Sequence, residues 1–148
     1  MKLPNPNCGL NDVRIKITHT SICGTDIHIW KWDQWARDNV PLGTITGHET
    51  CGTIVALGDN VVSHNIGDRV AIECHIACWD CPRCDEGNAH VCENGEIFGV
   101  HSNGAFSPYF TIPAVNARKL PENISMENAS IQDPLGNAIH TLTGGPVR

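Results

Sequence analysis

The chain has 148 residues and a net charge of −6 at neutral pH, from 16 acidic and 10 basic side chains. This length suits one domain, and the acidic balance weighs against nucleic acid or an anionic membrane as the main partner. No apolar run approaches the length of a membrane-spanning helix, and the first residues lack the apolar stretch of a secretion signal. We therefore expect a cytoplasmic protein that binds neither membranes nor nucleic acid.

The first half of the chain predicts three strands and one short helix. Residues 13–18 alternate apolar and polar side chains, which is the period of a half-buried strand. Residues 53–58 and 67–72 have the composition of strands and lie beside Gly-Asp turns. The alternation stops at 22–30, where the sequence Gly-Thr-Asp indicates the turn into a short helix. The 14 glycines and 9 prolines of the chain fit such a succession of short strands and turns.

The second half predicts two more short strands, at 104–112 and 115–120, followed by two helices, at 125–132 and 137–142. Pro108 suits the edge of a sheet better than its centre because it cannot donate a hydrogen bond. Ser125 can cap the first helix, and Asp133-Pro134 is expected to end it because a proline disfavours helical backbone in the residue before it. The sum predicts a mainly β domain, a small barrel with a few short helices.

Four of the eight cysteines share one polar loop, with the spacing C-x2-C-x2-C-x7-C: Cys78, Cys81, Cys84 and Cys92. Four thiolates in one loop can surround a single zinc ion and leave no position open, which is typical of a structural site. A disulfide framework is less favoured without a secretion signal. An iron–sulfur cluster also fits the first three cysteines, but the fourth follows too late and no proline succeeds it.

A second set of possible metal ligands is formed by Cys23, His48 and Glu49. A thiolate, an imidazole and a carboxylate that leave the fourth position to water or substrate are the pattern of a catalytic zinc. Taken singly, these residues have common alternatives. A buried cysteine is usually a small apolar side chain, and a His-Glu pair in a loop is usually polar surface.

Several segments together resemble the zinc-dependent medium-chain alcohol dehydrogenases, and within that family most nearly the threonine dehydrogenases. The resemblance runs from about residue 11 to residue 142. It implies a GroES-like, partly open barrel with a zinc-stapled loop. The segments that carry it are Cys23-Gly-Thr-Asp and the tryptophan-rich stretch after it, Gly47-His-Glu, Gly67-Asp-Arg-Val, the cysteine loop, 112–119 and 133–141.

The resemblance also implies roles for individual residues. Cys23, His48 and Glu49 would hold a catalytic zinc, and the four cysteines of the loop a structural zinc. Thr25 and His28 match the family's proton-relay pair, and Asp133 matches an acidic residue that supports the relay. A hydroxyl and an imidazole three residues apart on one helical turn are placed to exchange a proton.

The implied activity is the zinc-dependent, NAD-linked oxidation of a small secondary alcohol, most nearly that of L-threonine to 2-amino-3-oxobutanoate, in a homo-oligomer that is a tetramer in the family. Leu135 and Ser107-Pro108 depart from the threonine enzymes, so a polyol or simple secondary alcohol stays open as substrate. A non-catalytic zinc-binding module is the alternative of a different class. The tryptophans at 30, 32 and 35 are expected to pack in the core rather than line a pocket.

The family pattern is not matched in full. No G-x-G-x-x-G sequence of a dinucleotide-binding turn occurs in the chain. We therefore expect residues 1–148 to be a GroES-like catalytic domain that is incomplete at both ends, without the NAD-binding Rossmann domain and inactive by itself.

Overall fold

The computed structural model describes residues 5–144, so both ends of the expected domain, 1–148, lie outside the described residues. Seven strands follow in chain order: β1 (Asp12–Thr20), β2 (Thr50–Leu57), β3 (Arg69–Ile72), β4 (His75–Ile76), β5 (Glu96–Ile97), β6 (Tyr109–Pro113) and β7 (Ala117–Lys119). Five of them form an antiparallel sheet in the order β6-β1-β2-β3-β7. β4 and β5 form a separate two-stranded ribbon. The predicted mainly β class is confirmed.

Five short helices connect or follow the strands: α1 (Gly24–Lys31), α2 (Gln34–Asn39), α3 (Pro82–Asp85), α4 (Met126–Ala129) and α5 (Gln132–Thr143). α1 and α2 lie between β1 and β2, and α3 lies in the cysteine loop between β4 and β5. Among residues 5–144, no helix is long and apolar enough to cross a membrane.

The alternation read from the sequence appears as burial along β1. Val13 and Ile15 are fully buried, whereas the residues between and after them are partly or fully exposed. β6 is an edge strand, as Pro108 predicted, and the Pro108 carbonyl accepts a hydrogen bond from the Ile17 N–H of β1 at 3.1 Å. The strand itself is shorter than expected because the chain bends over residues 105–108.

The main core lies against the sheet, where apolar side chains of β1, β2, β3 and β6 meet Phe98, which follows β5. The rings of Phe98 and Phe110 pack at 4.7 Å with a tilt of 49°. Burying each such side chain contributes about 2 kcal/mol to the free energy of unfolding. The β4–β5 ribbon is thereby attached to the sheet, and the cysteine loop that it carries is placed beside it.

Two expectations about local structure are wrong. Pro134 does not end a helix but lies in the first turn of α5, where a missing N–H costs nothing because that group has no partner in the helix. The three tryptophans differ in how far they are buried. Trp32 packs against a small buried cluster, whereas Trp30 is 83% exposed and Trp35 39% exposed.

Candidate metal centre and active site

Cys23, His48 and Glu49 come together at one end of the sheet. One ligand atom from each lies within 4.8 Å of the others. The reason is the pairing of β1 with β2, which sets Thr20 opposite Thr50. Cys23 follows the end of β1 and precedes α1, while the His-Glu pair leads into the start of β2. The two segments, far apart in sequence, therefore meet beyond the paired ends.

Gly47 shapes the turn that presents His48 and Glu49. Its φ of 92° lies in the left-handed region, which costs a glycine little. A Cβ atom at this position would lie 2.8 Å from the Phe106 ring, so a side chain would also push the turn away. The glycine thus allows two buried polar side chains to turn inward, since His48 and Glu49 are 5% and 7% exposed.

The trio has the chemistry that a zinc ion requires. The buried Nδ1 of His48 has no hydrogen-bond partner among the described residues, so it is available to a ligand. Glu49 accepts a hydrogen bond at Oε2 from the Ser21 hydroxyl, at 2.7 Å, which leaves its other oxygen free. A hydrogen-bond donor of this kind orients a ligating carboxylate. Thiol, imidazole and carboxylate together fit zinc with one position left open.

A cavity of about 310 Å³ opens beside the trio. Its further lining includes Thr25, Trp35, Cys74, His75 and Asp133. The Thr25 hydroxyl lies 3.6 Å from the Cys23 sulfur, and Asp133 reaches the cavity from the first turn of α5. The structure therefore brings Thr25 and Asp133 to the same cavity as the three candidate ligands.

His28 lies one turn further along α1 and is not part of the cavity lining. Its side chain is 61% exposed, and its Nδ1 lies 2.5 Å from Oδ2 of Asp33. The edge of the Trp35 ring, which does line the cavity, faces the imidazole at 6.2 Å between centroids. The hydrogen bond with His28 lowers the pKa of the Asp33 carboxyl from its ordinary value. His28 thus stands between the cavity wall and solvent.

Sequence reasoning named Asp133 but did not predict that it converges with three neighbouring polar side chains, Glu73, Cys74 and His75. The His75 imidazole pairs with Glu73 at 2.7 Å, and the Cys74 N–H donates to Asp133 at 3.4 Å. The hydrogen bond between Glu73 and His75 lowers the pKa of Glu73 and raises that of His75. Burial, with the nearby Asp133 charge, raises the pKa of the Cys74 thiol. No local spacing links position 133 to 73–75, so only the fold could reveal this group.

The four cysteines of the loop also converge. Their sulfurs lie 3.3 Å apart for Cys78 and Cys92, 3.6 Å for Cys81 and Cys84, and 3.8 Å for Cys81 and Cys92. These distances are far above the 2.05 Å or so of a disulfide bond, and all eight cysteines of the chain are free thiols. The donor set is a closed ring of sulfur ligands, which fits a structural metal ion.

Different surroundings shift the pKa values of Cys81 and Cys84 in opposite directions. Hydrogen bonds from backbone N–H groups, foremost that of Glu93, lower the pKa of Cys81 to about 6. Desolvation, with the neighbouring Cys81 and Cys92 thiols, raises the pKa of Cys84 to about 11. A thiolate is the form that binds metal, so Cys81 is prepared for a cation at neutral pH, and a bound cation would favour the thiolate form of the others.

The alcohol dehydrogenase GroES-like domain family matches residues 9–122. The chain belongs to this family. The GroES-like fold and the resemblance to the zinc-dependent alcohol dehydrogenases are thereby confirmed. The match covers β1 to β7, both candidate metal centres and the polar pair at 73–75, but ends before α4.

Individual relatives agree with the family assignment. The L-threonine 3-dehydrogenase of Yersinia enterocolitica serotype O:8 / biotype 1B is 50% identical over 139 residues, which are 94% of this chain. A short chain alcohol dehydrogenase from E. coli CFT073, solved with NADH, is 34% identical with a TM-score of 0.85 and covers 95% of this chain and 40% of its own. Galactitol-1-phosphate dehydrogenase from E. coli is 27% identical with a TM-score of 0.87, over 98% and 42% of the two chains. The chain spans 41% of the length of the curated relatives it matches.

Proposed function

We propose that this chain is the zinc-binding catalytic portion of an NAD-linked dehydrogenase that oxidises the secondary alcohol of L-threonine to 2-amino-3-oxobutanoate. The observation that carries the proposal is the meeting of Cys23, His48 and Glu49 beside a cavity that Thr25 also lines. The 50% identity to an L-threonine 3-dehydrogenase supports the choice of substrate.

Each of the predicted site residues would have a distinct role in this reaction. Cys23, His48 and Glu49 would hold the catalytic zinc, which when bound would supply a Lewis acid for the substrate hydroxyl. The Thr25 hydroxyl takes up the proton of that hydroxyl and passes its own towards His28, whose exposed ring releases it to water. NAD, when bound, would supply the acceptor for the hydride. Asp133 would support the proton relay from the cavity wall, and the four thiols of the cysteine loop would hold a structural zinc.

The charge of the cavity favours an amino acid over a phosphorylated polyol. Among residues 5–144, no lysine or arginine lines it, whereas Glu49 and Asp133 do. If the thiolate of Cys23 and the carboxylate of Glu49 balance the zinc charge, the Asp133 carboxylate remains to attract the ammonium group of threonine. A phosphate would meet repulsion at the same place. Polyols without charge remain the second choice of substrate.

The exposed apolar face of helix α5 supports the proposal that a separate nucleotide-binding domain packs against this one. Leu135, Ile139 and Leu142 are exposed by 53%, 51% and 68% and form one apolar stripe at helical spacing. A stripe of this kind fits packing against another domain or subunit.

We propose a homo-oligomer, a tetramer as in the family. We also propose that the protein lies in a reducing cytoplasm, where eight free cysteines are stable.

A chimera tests the activity directly. Residues 1–148 replace the matching part of the Yersinia enterocolitica enzyme, and reduction of NAD is followed with L-threonine and with galactitol. We expect threonine oxidation, and loss of at least about 1,000-fold in the Cys23→Ser chimera because an essential metal ligand is missing. The Cys8→Ser chimera is the matched control, since Cys8 lies outside both metal centres.

Metal analysis of the same chimera separates the alternatives. Zinc at both centres together with threonine oxidation agrees with the proposal. Zinc in the cysteine loop alone, with no oxidation of either alcohol, would instead identify a non-catalytic zinc module. Visible absorption of a brown protein would indicate an iron–sulfur cluster in the loop.

A further inference from the structure

Asp33 binds the two helices on either side of it with different oxygens. Its Oδ2 lies 2.5 Å from Nδ1 of His28 in α1. Its Oδ1 accepts the N–H of Ala36 at 3.0 Å and so caps the start of α2. Because the cap fixes one oxygen, the other is held in a defined position against the imidazole.

The backbone before Asp33 is bent to make this possible. α1 is followed by Trp32, its C-terminal cap, which has φ 50° and ψ 46°, and this left-handed conformation is unfavourable for a residue with a side chain. Packing of Trp32 against Ala36 and Val40 holds the bend in place. The bend turns the chain back, so that Asp33 lies beside the last turn of α1. The unfavourable backbone conformation of Trp32 therefore allows Asp33 to pair with His28.

The pairing determines the protonation of the imidazole. An ionised carboxylate only accepts hydrogen bonds, so the proton between the two groups belongs to Nδ1 of His28. In the neutral ring, Nε2 is then the free base. Among the residues that the structure describes, Asp33 is the only side chain hydrogen-bonded to this ring.

We propose that Asp33 is a positioning residue of the proton relay, which keeps Nε2 of His28 ready to receive the substrate proton. In this relay the proton of the alcohol would pass by way of the Thr25 hydroxyl to Nε2 of His28, and the exposed ring would lose a proton to water. No electrons move in this step, so it needs no partner besides solvent. The inference rests on the proposed function, since a relay matters only if the cavity deprotonates an alcohol.

The decisive variant is Asp33→Asn. The amide oxygen can still cap α2 through Ala36, but the amide NH₂ then faces Nδ1 of His28 as a donor. The neutral ring is thereby driven to the opposite tautomer, with the proton on Nε2 and the free base on the wrong side. Asp38→Asn is the matched control, because Asp38 is a carboxylate in the same helix whose partner is Gln34.

The first measurement is ¹⁵N NMR of His28 in the zinc-loaded 148-residue chain, under conditions in which the ring is neutral. We expect the proton on Nδ1 in the unaltered chain and in Asp38→Asn, and on Nε2 in Asp33→Asn. A proton on Nε2 in the unaltered chain overturns the inference. This result does not depend on any enzymatic activity, so it stands apart from the test of the proposed function.

The second measurement is kcat of the chimera with L-threonine. Asp33→Asn should lower kcat about 10- to 100-fold, which is the contribution of a positioned base, and added imidazole buffer should restore part of it. Asp38→Asn should leave kcat unchanged. A purely structural loss would show as a lower unfolding temperature without rescue by buffer, and would overturn the inference, as would an unchanged kcat in Asp33→Asn. If the unaltered chimera is inactive, the proposed function fails and the relay role with it.

Discussion

Ser21 supports the candidate catalytic centre from outside the set of ligands. Its hydroxyl donates to Oε2 of Glu49 at 2.7 Å and also lies 3.0 Å from the carbonyl of Ser130, in the segment that leads into α5. Partners of this type set the orientation of a metal ligand, and their loss commonly weakens metal binding by about 10- to 100-fold. Ser21 was not singled out from the sequence because a serine beside two β-branched residues has no distinctive pattern.

We predict that Ser21→Ala weakens zinc binding at the trio about 10-fold while the loop site keeps its metal. Competition with a chromophoric chelator measures both affinities. Ser107→Ala is the control, since the hydroxyl of Ser107 bonds the Tyr109 carbonyl away from the cavity. An unaltered affinity in Ser21→Ala would show that Glu49 needs no such support.

The pair of Glu73 and His75 gives a prediction about pH. The pKa of Glu73 is lowered from 4.5, so its contribution to stability is present above that value and lost as the pH falls through the folded-state pKa. The pKa of His75 is raised from 6.5, so its contribution is complete below that value and lost as the pH rises through the folded-state pKa. The pair therefore stabilises most between these two ordinary values.

Both side chains are more than a third exposed, which limits the effect to about 0.5 kcal/mol. Glu73→Gln should lower the free energy of unfolding by this amount at pH 6 and leave it nearly unchanged at pH 9. Urea unfolding at the two values measures the difference. A penalty of equal size at both would mean that Glu73 acts through packing and not through charge.

At the scale of elements, α5 forms although its sequence has a low intrinsic helix propensity. Its interior contains Gly136, around which an added Cβ would meet nothing within 4 Å, and its first turn contains Pro134. Asp133 in the same turn compensates in part because a negative charge at a helix N-terminus interacts favourably with the helix dipole. Pro134 therefore lies in the first turn of this helix, at a place where the sequence pattern predicted the end of a helix.

Gly136→Ala is predicted to raise the free energy of unfolding by about 0.5 to 1 kcal/mol, because alanine loses less backbone freedom in a helix. Gly67→Ala is the contrasting variant, since Gly67 also has open space around it but a φ of 96°. It should lower the free energy of unfolding by about 1 kcal/mol. Urea unfolding measures both, and a loss of stability in Gly136→Ala would mean that α5 is not helical there.

At the scale of the whole molecule, the two candidate metal centres depend on different parts of the fold. The cysteine loop is carried by the β4–β5 ribbon and closes on itself, whereas the trio needs β1 and β2 to be paired. The centres should therefore fill and empty independently, although one core supports both.

Cys84→Ser should reduce zinc from two ions per chain to one and make the loop sensitive to protease, because its own apolar content is too low to order it without metal. Cys23→Ser should also remove one ion but leave the loop resistant. Metal analysis and limited proteolysis of the two variants and of the double variant test this. Loss of both ions in either single variant would contradict independence.

Local pattern was enough where a structure is made by neighbours in sequence. The alternation of Val13 and Ile15 with polar residues specified β1, and the spacing of Cys78, Cys81, Cys84 and Cys92 specified their convergence. In both cases, chain geometry over a few residues fixes the distances. The same reasoning went wrong at Pro134, because a proline is compatible both with the end of one helix and with the first turn of the next.

The amino-acid sequence by itself thus determined the mainly β class, the cysteine loop and, through its motifs, the family of the chain. Only the tertiary structure decided how close Cys23 comes to His48 and Glu49, whose shared site the family resemblance already implied, that Asp133 faces Cys74, and that Asp33 pairs with His28. The first two depend on strand pairing and helix packing between segments tens of residues apart, where the chain itself permits almost any distance. The third depends on one left-handed residue, Trp32, whose conformation is imposed by packing against its neighbours.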